Sequence, residues 1–147
     1  MNENTVFFEQ LDKELESIDL CSVYSTQARI AVRIDNGRHT IIWDECYWKY
    51  YRKYLMAVET ARKNSLSVTQ AVTAVMAEHL SERFSAVKDL SSFLKKIAVQ
   101  FGSAPDLTAE ETDKTESRVF IAKLFSVFHE TAHIRIAQKD KVALQTK

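Results

Sequence analysis

Asn36-Gly37 joins two runs of alternating apolar and polar residues, and this pattern constrains the fold more than any other feature of the chain. Alternation with a period of two indicates strands with one buried face, and Asn-Gly favours the two-residue turn between antiparallel strands. With that turn, Val32 pairs with Ile41, and the apolar residues of both strands fall on one face. The sequence therefore predicts a β-hairpin over residues 28–44.

The opposite face of this hairpin carries an opposite-charge pair. In the same register Arg29 faces Asp44 and Arg33 faces Thr40. Opposite charges across a strand pair stabilise the pairing, so one register satisfies both the apolar and the polar face. We therefore expect an ion pair between Arg29 and Asp44.

Only two glycines and one proline interrupt the 147 residues, so most of the chain should be helical. Apolar residues recur at helical spacing over residues 5–18 and 46–63. The spacing resumes at residue 68, with a bend or break near residues 81–90, and Gly102 is a natural end for this stretch. The segments between these stretches are short, which is typical of helices joined by tight connections.

Two capping boxes mark helix starts, from Ser67 to Gln70 and from Thr108 to Glu111. The second box opens the last helix, in which residues 119–128 are apolar at eight of ten positions. A helix that is apolar nearly all round is usually buried, so we expect this helix at the centre of the core. The predicted fold class is α+β: a mostly helical domain in which a small antiparallel hairpin or sheet packs on about five helices.

The overall composition bounds the class of protein. Twenty basic and twenty acidic residues balance, so the charge favours neither nucleic acid nor an anionic membrane as a partner. Residues 1–18 lack the basic start of a signal peptide, and no stretch has transmembrane length without charges, so we expect a cytoplasmic protein. Cys21 and Cys46 are too few for a disulfide framework and should be free thiols. The length predicts a single domain, residues 1–147.

His129-Glu130-Thr131-Ala132-His133 is the one segment whose spacing implies chemistry. On a helix His129 and His133 lie on the same face one turn apart, so both imidazoles can bind one zinc ion. Glu130 between them can reach a water molecule and act as a general base. The sequence therefore predicts a Zn²⁺ site with His129 and His133 as metal ligands and Glu130 as the catalytic residue.

Residues 127–134, Val-Phe-His-Glu-Thr-Ala-His-Ile, resemble the active-site helix of the zincin metallopeptidases. The resemblance implies hydrolysis of peptide bonds, with zinc as the cofactor and a peptide or protein as the substrate. It also implies that Glu130 takes a proton from water and later passes it to the leaving amine. In that family an edge strand aligns the peptide by strand addition, a role that the predicted hairpin could fill.

A third zinc ligand is not apparent in the sequence, although a catalytic zinc site needs three protein ligands and an open position. The metzincin extension of the motif is absent, because Ile136 and Lys139 stand where Gly and His belong. No Glu follows His133 to complete the gluzincin pattern. Asp140 is a weak candidate that would need the helix to end and fold back. Upstream, the weak candidates are His79, Glu78 and His39.

Three arrangements remain open. The chain is the N-terminal part of a longer peptidase, or it takes a third ligand from upstream or from a partner, or it is a zincin-like interaction or regulatory module that does not catalyse. A di-metal carboxylate bundle also uses Glu-x-x-His, the spacing of Glu130 and His133, but the second such motif that it needs is absent. We expect a zinc metallopeptidase if the metal site is complete, with the non-catalytic module as the alternative.

Overall fold

The computed structural model of the chain describes residues 18–35 and 38–145, and residues 9, 13 and 16 before them; side chains are described up to residue 136, apart from those of residues 34 and 35. The described chain is an α+β structure, in which three strands precede four helices. The helix predicted over residues 5–18 falls mostly outside the described residues. Residues 9, 13 and 16 are helical, and the last residue of the range, Ile18, begins a strand. The fold class is therefore confirmed, and the four described helices correspond to the other four that the sequence predicts.

The three strands are β1 (Ile18–Val23), β2 (Ile30–Asp35) and β3 (Arg38–Asp44), and they form one sheet in the order β1-β3-β2. β2 and β3 pair antiparallel with Val32 opposite Ile41, so the predicted hairpin and its register are confirmed. β1 pairs with β3 in parallel, which makes the sheet mixed rather than purely antiparallel. The sequence did not predict β1, because parallel neighbours are joined through residues distant in sequence and no local turn marks them.

Within the described residues the helices are α1 (Glu45–Lys63), α2 (Val68–Arg83), α3 (Lys88–Phe101) and α4 (Ala109–Gln145). α2 starts where its capping box predicts, since the Ser67 hydroxyl accepts a hydrogen bond of 3.2 Å from the Gln70 amide. The break expected near residues 81–90 is confirmed between α2 and α3. Gly102 ends α3, also as expected.

The expected ion pair between Arg29 and Asp44 is not what stabilises the end of the hairpin. The two residues do face each other, but the Asp44 amide donates to the Arg29 carbonyl oxygen at 3.1 Å, which is a backbone contact. The Asp44 carboxylate is buried and accepts hydrogen bonds from the Ser25 amide (2.9 Å) and the Cys46 amide (3.0 Å). Asp44 is thus the N-cap of α1, and a buried carboxylate is better satisfied by fixed amides than by an exposed guanidinium.

One face of the sheet packs against α4 and forms the core that carries the motif helix. Ile41, which is fully buried, contacts Val127 and Ile134 of α4. Partly buried apolar residues of all three strands surround this cluster: Ile18, Ile30, Val32 and Trp43. The apolar face that the hairpin register predicts is therefore the face that fixes the position of α4.

The expectation that the motif helix lies at the centre of the core is wrong. Among the side chains of α4 that the structure describes, up to residue 136, only one side of the helix is buried, and Phe120 and Phe125 are 62% and 68% exposed. The density of apolar residues misled the prediction, because it does not tell which sides of a helix are covered. Even with these exposed side chains, no helix in the described part of the chain combines the length and apolar character needed to cross a membrane.

Candidate metal site

The start of α4 is fixed by a reciprocal capping box. The Thr108 hydroxyl accepts a hydrogen bond from the Glu111 amide, and a Glu111 carboxylate oxygen accepts one from the Thr108 amide, both at 3.1 Å. Further along the helix Val127, Thr131 and Ile134 face the core, and the Thr131 hydroxyl donates to the Val127 carbonyl oxygen at 2.7 Å. This orientation of α4 turns the two motif histidines away from the core.

His129 and His133 converge on the exposed side of α4. Their Nε2 atoms are 3.0 Å apart, and their ring centroids are 4.5 Å apart. At this distance one imidazole donates a hydrogen bond to the other. Two nitrogens that each bind a tetrahedral zinc ion at 2.0–2.1 Å would be roughly 3.4 Å apart, so an ion would replace the shared proton with only a small change in the separation of the rings. The imidazole pair therefore fits two positions of a zinc site.

Glu130 is half-buried and lies beside a shallow groove of about 460 Å³. The groove is bounded by the first residue of β2, by the start of α1 and by α4. Its lining residues are Ile30, Tyr47, Phe125, Ser126, His129 and Glu130. Glu130 and His129 thus line the same surface groove, and a base that acts on a molecule bound there must lie beside it.

No third metal ligand accompanies the histidine pair among the described side chains, where no cluster of three or more His, Cys, Asp or Glu is positioned to hold a metal ion. The candidate His79 is engaged elsewhere: its Nε2 lies 3.3 Å from the Thr26 carbonyl oxygen, and its ring packs on Tyr50. Glu78 is paired with Lys53. Both α2 candidates therefore have other partners in this structure.

Asp140 lacks the helix end and fold-back that it would need in order to approach the histidines. Its side chain lies outside the described residues, but the backbone of α4 continues as a helix through Asp140 to Gln145. Seven residues of helix separate His133 from Asp140, which is roughly 10 Å of axial rise. His39 lies half-buried on the central strand and joins no such cluster.

A second cluster, which the sequence analysis missed, is centred on Glu82. One carboxylate oxygen accepts a hydrogen bond from the Tyr24 hydroxyl, and the other accepts from the Tyr50 hydroxyl and from Lys49 at 3.2 Å. Burial raises the pKa of Glu82, but the hydrogen bonds from Tyr24, Tyr50 and Lys49 outweigh it, and the net pKa is lowered. The bond to the Glu82 carboxylate raises the pKa of Tyr24 to about 12. The cluster ties the β1–β2 connection to α1 and α2.

The two cysteines are free thiols, as the sequence predicts. Cys46 is fully buried at the start of α1, and burial raises the pKa of its thiol. A thiol of raised pKa is a poor nucleophile, so Cys46 is a packing residue.

Comparison with family models, with curated proteins and with solved structures finds no match to this chain. The interpretation of the site therefore depends on its own residues. The observations that bear on function are the convergence of His129 and His133, the groove beside Glu130, and the position of β2.

Proposed function

We propose that this chain provides two zinc ligands, His129 and His133, and the general base, Glu130, of a zinc-dependent hydrolase of peptide bonds. The observation that carries the proposal is the 3.0 Å separation of the two Nε2 atoms on one exposed helix face. Two imidazoles held one turn apart need little rearrangement to bind one ion, so the ordering cost of the site is low. We also keep the cytoplasm as the proposed location, because free thiols such as Cys21 and Cys46 are typical of a reducing compartment.

Zinc bound to the two imidazoles would polarise a carbonyl group and lower the pKa of a coordinated water to about 7. Glu130 follows His129 directly, and its carboxylate lies at the same groove. Its role is to accept a proton from water and to return one to the leaving amine, as a positioned carboxylate can do. Glu130 is half-buried, so its side chain remains accessible to a molecule bound in the groove, which supports this role.

The position of β2 supports an extended peptide as the substrate. β2 lies at an edge of the sheet, and its first residue, Ile30, lines the groove with His129 and Glu130. An edge strand offers backbone donors and acceptors that an extended peptide can pair with. A peptide added to β2 would run past the groove, and its scissile bond would then lie near the proposed metal.

The first experiment measures zinc per chain after incubation with zinc and removal of the excess. We expect about one zinc per chain. His129→Ala and His133→Ala should each lose most of it, because a single imidazole binds zinc weakly. His39→Ala and His79→Ala are the matched controls and should retain the metal. Retention of zinc by both motif variants would refute the site.

A second experiment separates metal binding from catalysis. Glu130→Gln should keep the zinc and lose hydrolysis of an unstructured peptide such as casein by a factor of about 100 or more. Glu110→Gln, at an exposed position of the same helix, is the matched control and should not change either property. Equal hydrolysis by Glu130→Gln and the parent chain would exclude Glu130 as the base.

The alternative, a zincin-like module that binds a partner without catalysis, is favoured by one specific observation. The described side chains supply no third ligand, and a catalytic zinc site needs three. Zinc bound at one per chain, with no hydrolysis by the parent chain, would select this alternative. In that case the exposed apolar residues of α4, such as Phe120 and Phe125, become the surface to test for partner binding.

A further inference from the structure

A groove lies on the helical side of the molecule, away from the motif. α2 packs against both α1 and α3, and these two helices form the walls of a cavity of about 540 Å³ whose floor is α2. The segment that follows α3 closes one end with Pro105. The size falls in the range of sites that bind small molecules, and such sites are mostly apolar with a few placed polar groups.

Small residues create this space. Ala71 and Ala74 on α2 and Ala98 on α3 line the floor and one wall, together with Gly102. The backbone is close at Gly102, where an added Cβ would lie 2.5 Å from the Ala98 carbonyl oxygen and 3.6 Å from the Ala74 Cβ. Larger side chains at these positions would fill the groove, so its depth is a direct consequence of the sequence.

The apolar walls continue along the groove. Met56 on α1, Val75 on α2 and Val99 on α3 face the cavity. Val99 is 81% exposed, so it forms part of the rim. A second cavity of about 650 Å³ shares part of this lining and extends the groove toward Lys95, but most of its own lining residues are polar and include Glu82. The lining of the first cavity therefore suits an apolar group better than a compact polar one.

The charged residues of the lining are mainly basic. Lys49, Arg52 and Lys53 of α1 line the cavity against one acidic residue, Glu78. Each base has a carboxylate partner: Lys49 pairs with Glu82 at 3.2 Å, Arg52 with Glu116 at 2.6 Å, and Lys53 with Glu78.

These ion pairs leave the bases able to bind a further anion. All three are partly exposed, and pairs of that kind are worth about 0–1 kcal/mol. A lysine ammonium has three donors. Lys49 uses two of them, on Glu82 and on the Tyr24 hydroxyl, and the Lys53 ammonium bonds to Glu78, so each lysine has a donor left for a second carboxylate. The lining thus combines an apolar slot with cationic donors along one wall.

We propose that the groove between α1 and α3 binds a small amphipathic anion, namely a carboxylate with an unbranched alkyl chain. The alkyl chain lies over the alanine floor, and the carboxylate binds to Lys53 and Lys49. None of the lining residues belongs to α4, so this site does not depend on the zinc site. The two proposals can therefore fail separately.

Decanoate, kept below its micelle-forming concentration, is the probe, and decanol is its uncharged counterpart. Titration of the full chain is followed calorimetrically and by amide NMR shifts. We expect saturable binding of decanoate, with shifts concentrated at Ala71, Ala74 and Gly102. Decanol should bind several-fold more weakly, because it lacks the charge. The absence of saturable binding, or equal affinity for decanol and decanoate, would overturn the proposal.

Matched variants locate the ligand. Val75→Trp fills the groove and should weaken decanoate binding at least tenfold, which is about 1.4 kcal/mol. Val87→Trp, at an exposed position outside the groove, is its control and should not change the affinity. Val99→Trp, on the exposed rim, serves as a second blocking variant if Val75→Trp does not fold. Binding that survives every folded blocking variant would overturn the proposal.

The charge is tested in the same way. Lys53→Met should weaken decanoate binding about threefold, as expected for an exposed charge pair, and leave decanol binding unchanged. Lys88→Met, at the exposed first residue of α3 and outside the groove, is the control. Equal loss in both lysine variants would mean that the contribution is only the net charge of the chain, which contradicts a placed carboxylate.

Discussion

Replacing Ile41 by valine tests whether the sheet really positions the motif helix. Ile41 is fully buried and contacts Val127 and Ile134 of α4. Removing one buried methylene costs about 0.8 kcal/mol of transfer free energy. A residual cavity of roughly 20 Å³ adds about 0.5 kcal/mol at about 24 cal/mol per Å³. We therefore expect the free energy of unfolding to fall by about 1.3 kcal/mol.

The matched control is Ile42→Val, one residue further along β3. Its side chain points to the other face of the sheet and is only half-buried, so the expected loss is about 0.5 kcal/mol or less. Urea unfolding followed by circular dichroism measures both values, and the Ile41→Val loss corresponds to a fall in Tm of roughly 3–5 °C. An equal or larger loss for Ile42→Val would refute the assignment of the core face.

Three further predictions concern stability. Gly102→Ala should lower the free energy of unfolding by about 1–3 kcal/mol, measured by urea unfolding, because the new Cβ would meet the Ala98 carbonyl oxygen at 2.5 Å. Folding lowers the pKa of Glu82, so the ionised carboxylate stabilises the fold fully above its unfolded pKa, and this contribution is lost as pH falls through the folded pKa. Glu82→Gln should therefore lower the free energy of unfolding more at pH 7 than at about pH 3. An equal effect at both pH values would refute a stabilising role for the ionised carboxylate. Thr108→Ala should cost about 1 kcal/mol in the same assay, since the Glu111 amide loses its cap.

The parts of the fold that could be predicted from the sequence are those fixed by neighbouring residues. The hairpin register follows from Asn36-Gly37 and the alternation on either side, and the structure confirms it. The start of α4 follows from the spacing of Thr108 and Glu111, which bond reciprocally. In both cases the deciding contacts lie within a few residues of each other.

The rest of the fold depends on contacts between distant parts of the chain. β1 exists because Ile18–Val23 pairs in parallel with β3, and no local signal marks such pairing. The exposure of Phe125 could not be foreseen either, because burial on α4 depends on where the sheet lies and not on the apolar density of the helix. In the Glu82 cluster, Tyr24 of the β1–β2 connection and Lys49 and Tyr50 of α1 contact Glu82 of α2. These residues are far apart in sequence, so no local pattern predicts the cluster.

The candidate metal site also has a part that could be predicted from local sequence and a part that could not. Helical spacing is enough to predict that His129 and His133 share a face, and their Nε2 atoms do converge. A third ligand would come from another part of the chain or from another molecule, so the spacing of the motif cannot predict which residue it is. The contacts of His79 with Thr26 and Tyr50 join distant parts of the chain, so they could not be predicted from the sequence.

The most direct test of the central claim is anomalous diffraction at the zinc absorption edge from crystals of the zinc-loaded chain. The proposal predicts one anomalous peak about 2.0–2.1 Å from the Nε2 atoms of both His129 and His133. Glu130 should lie nearby without being a ligand. A zinc peak elsewhere, or no peak at the histidine pair under saturating zinc, would contradict the assignment of this helix as a zinc-binding element.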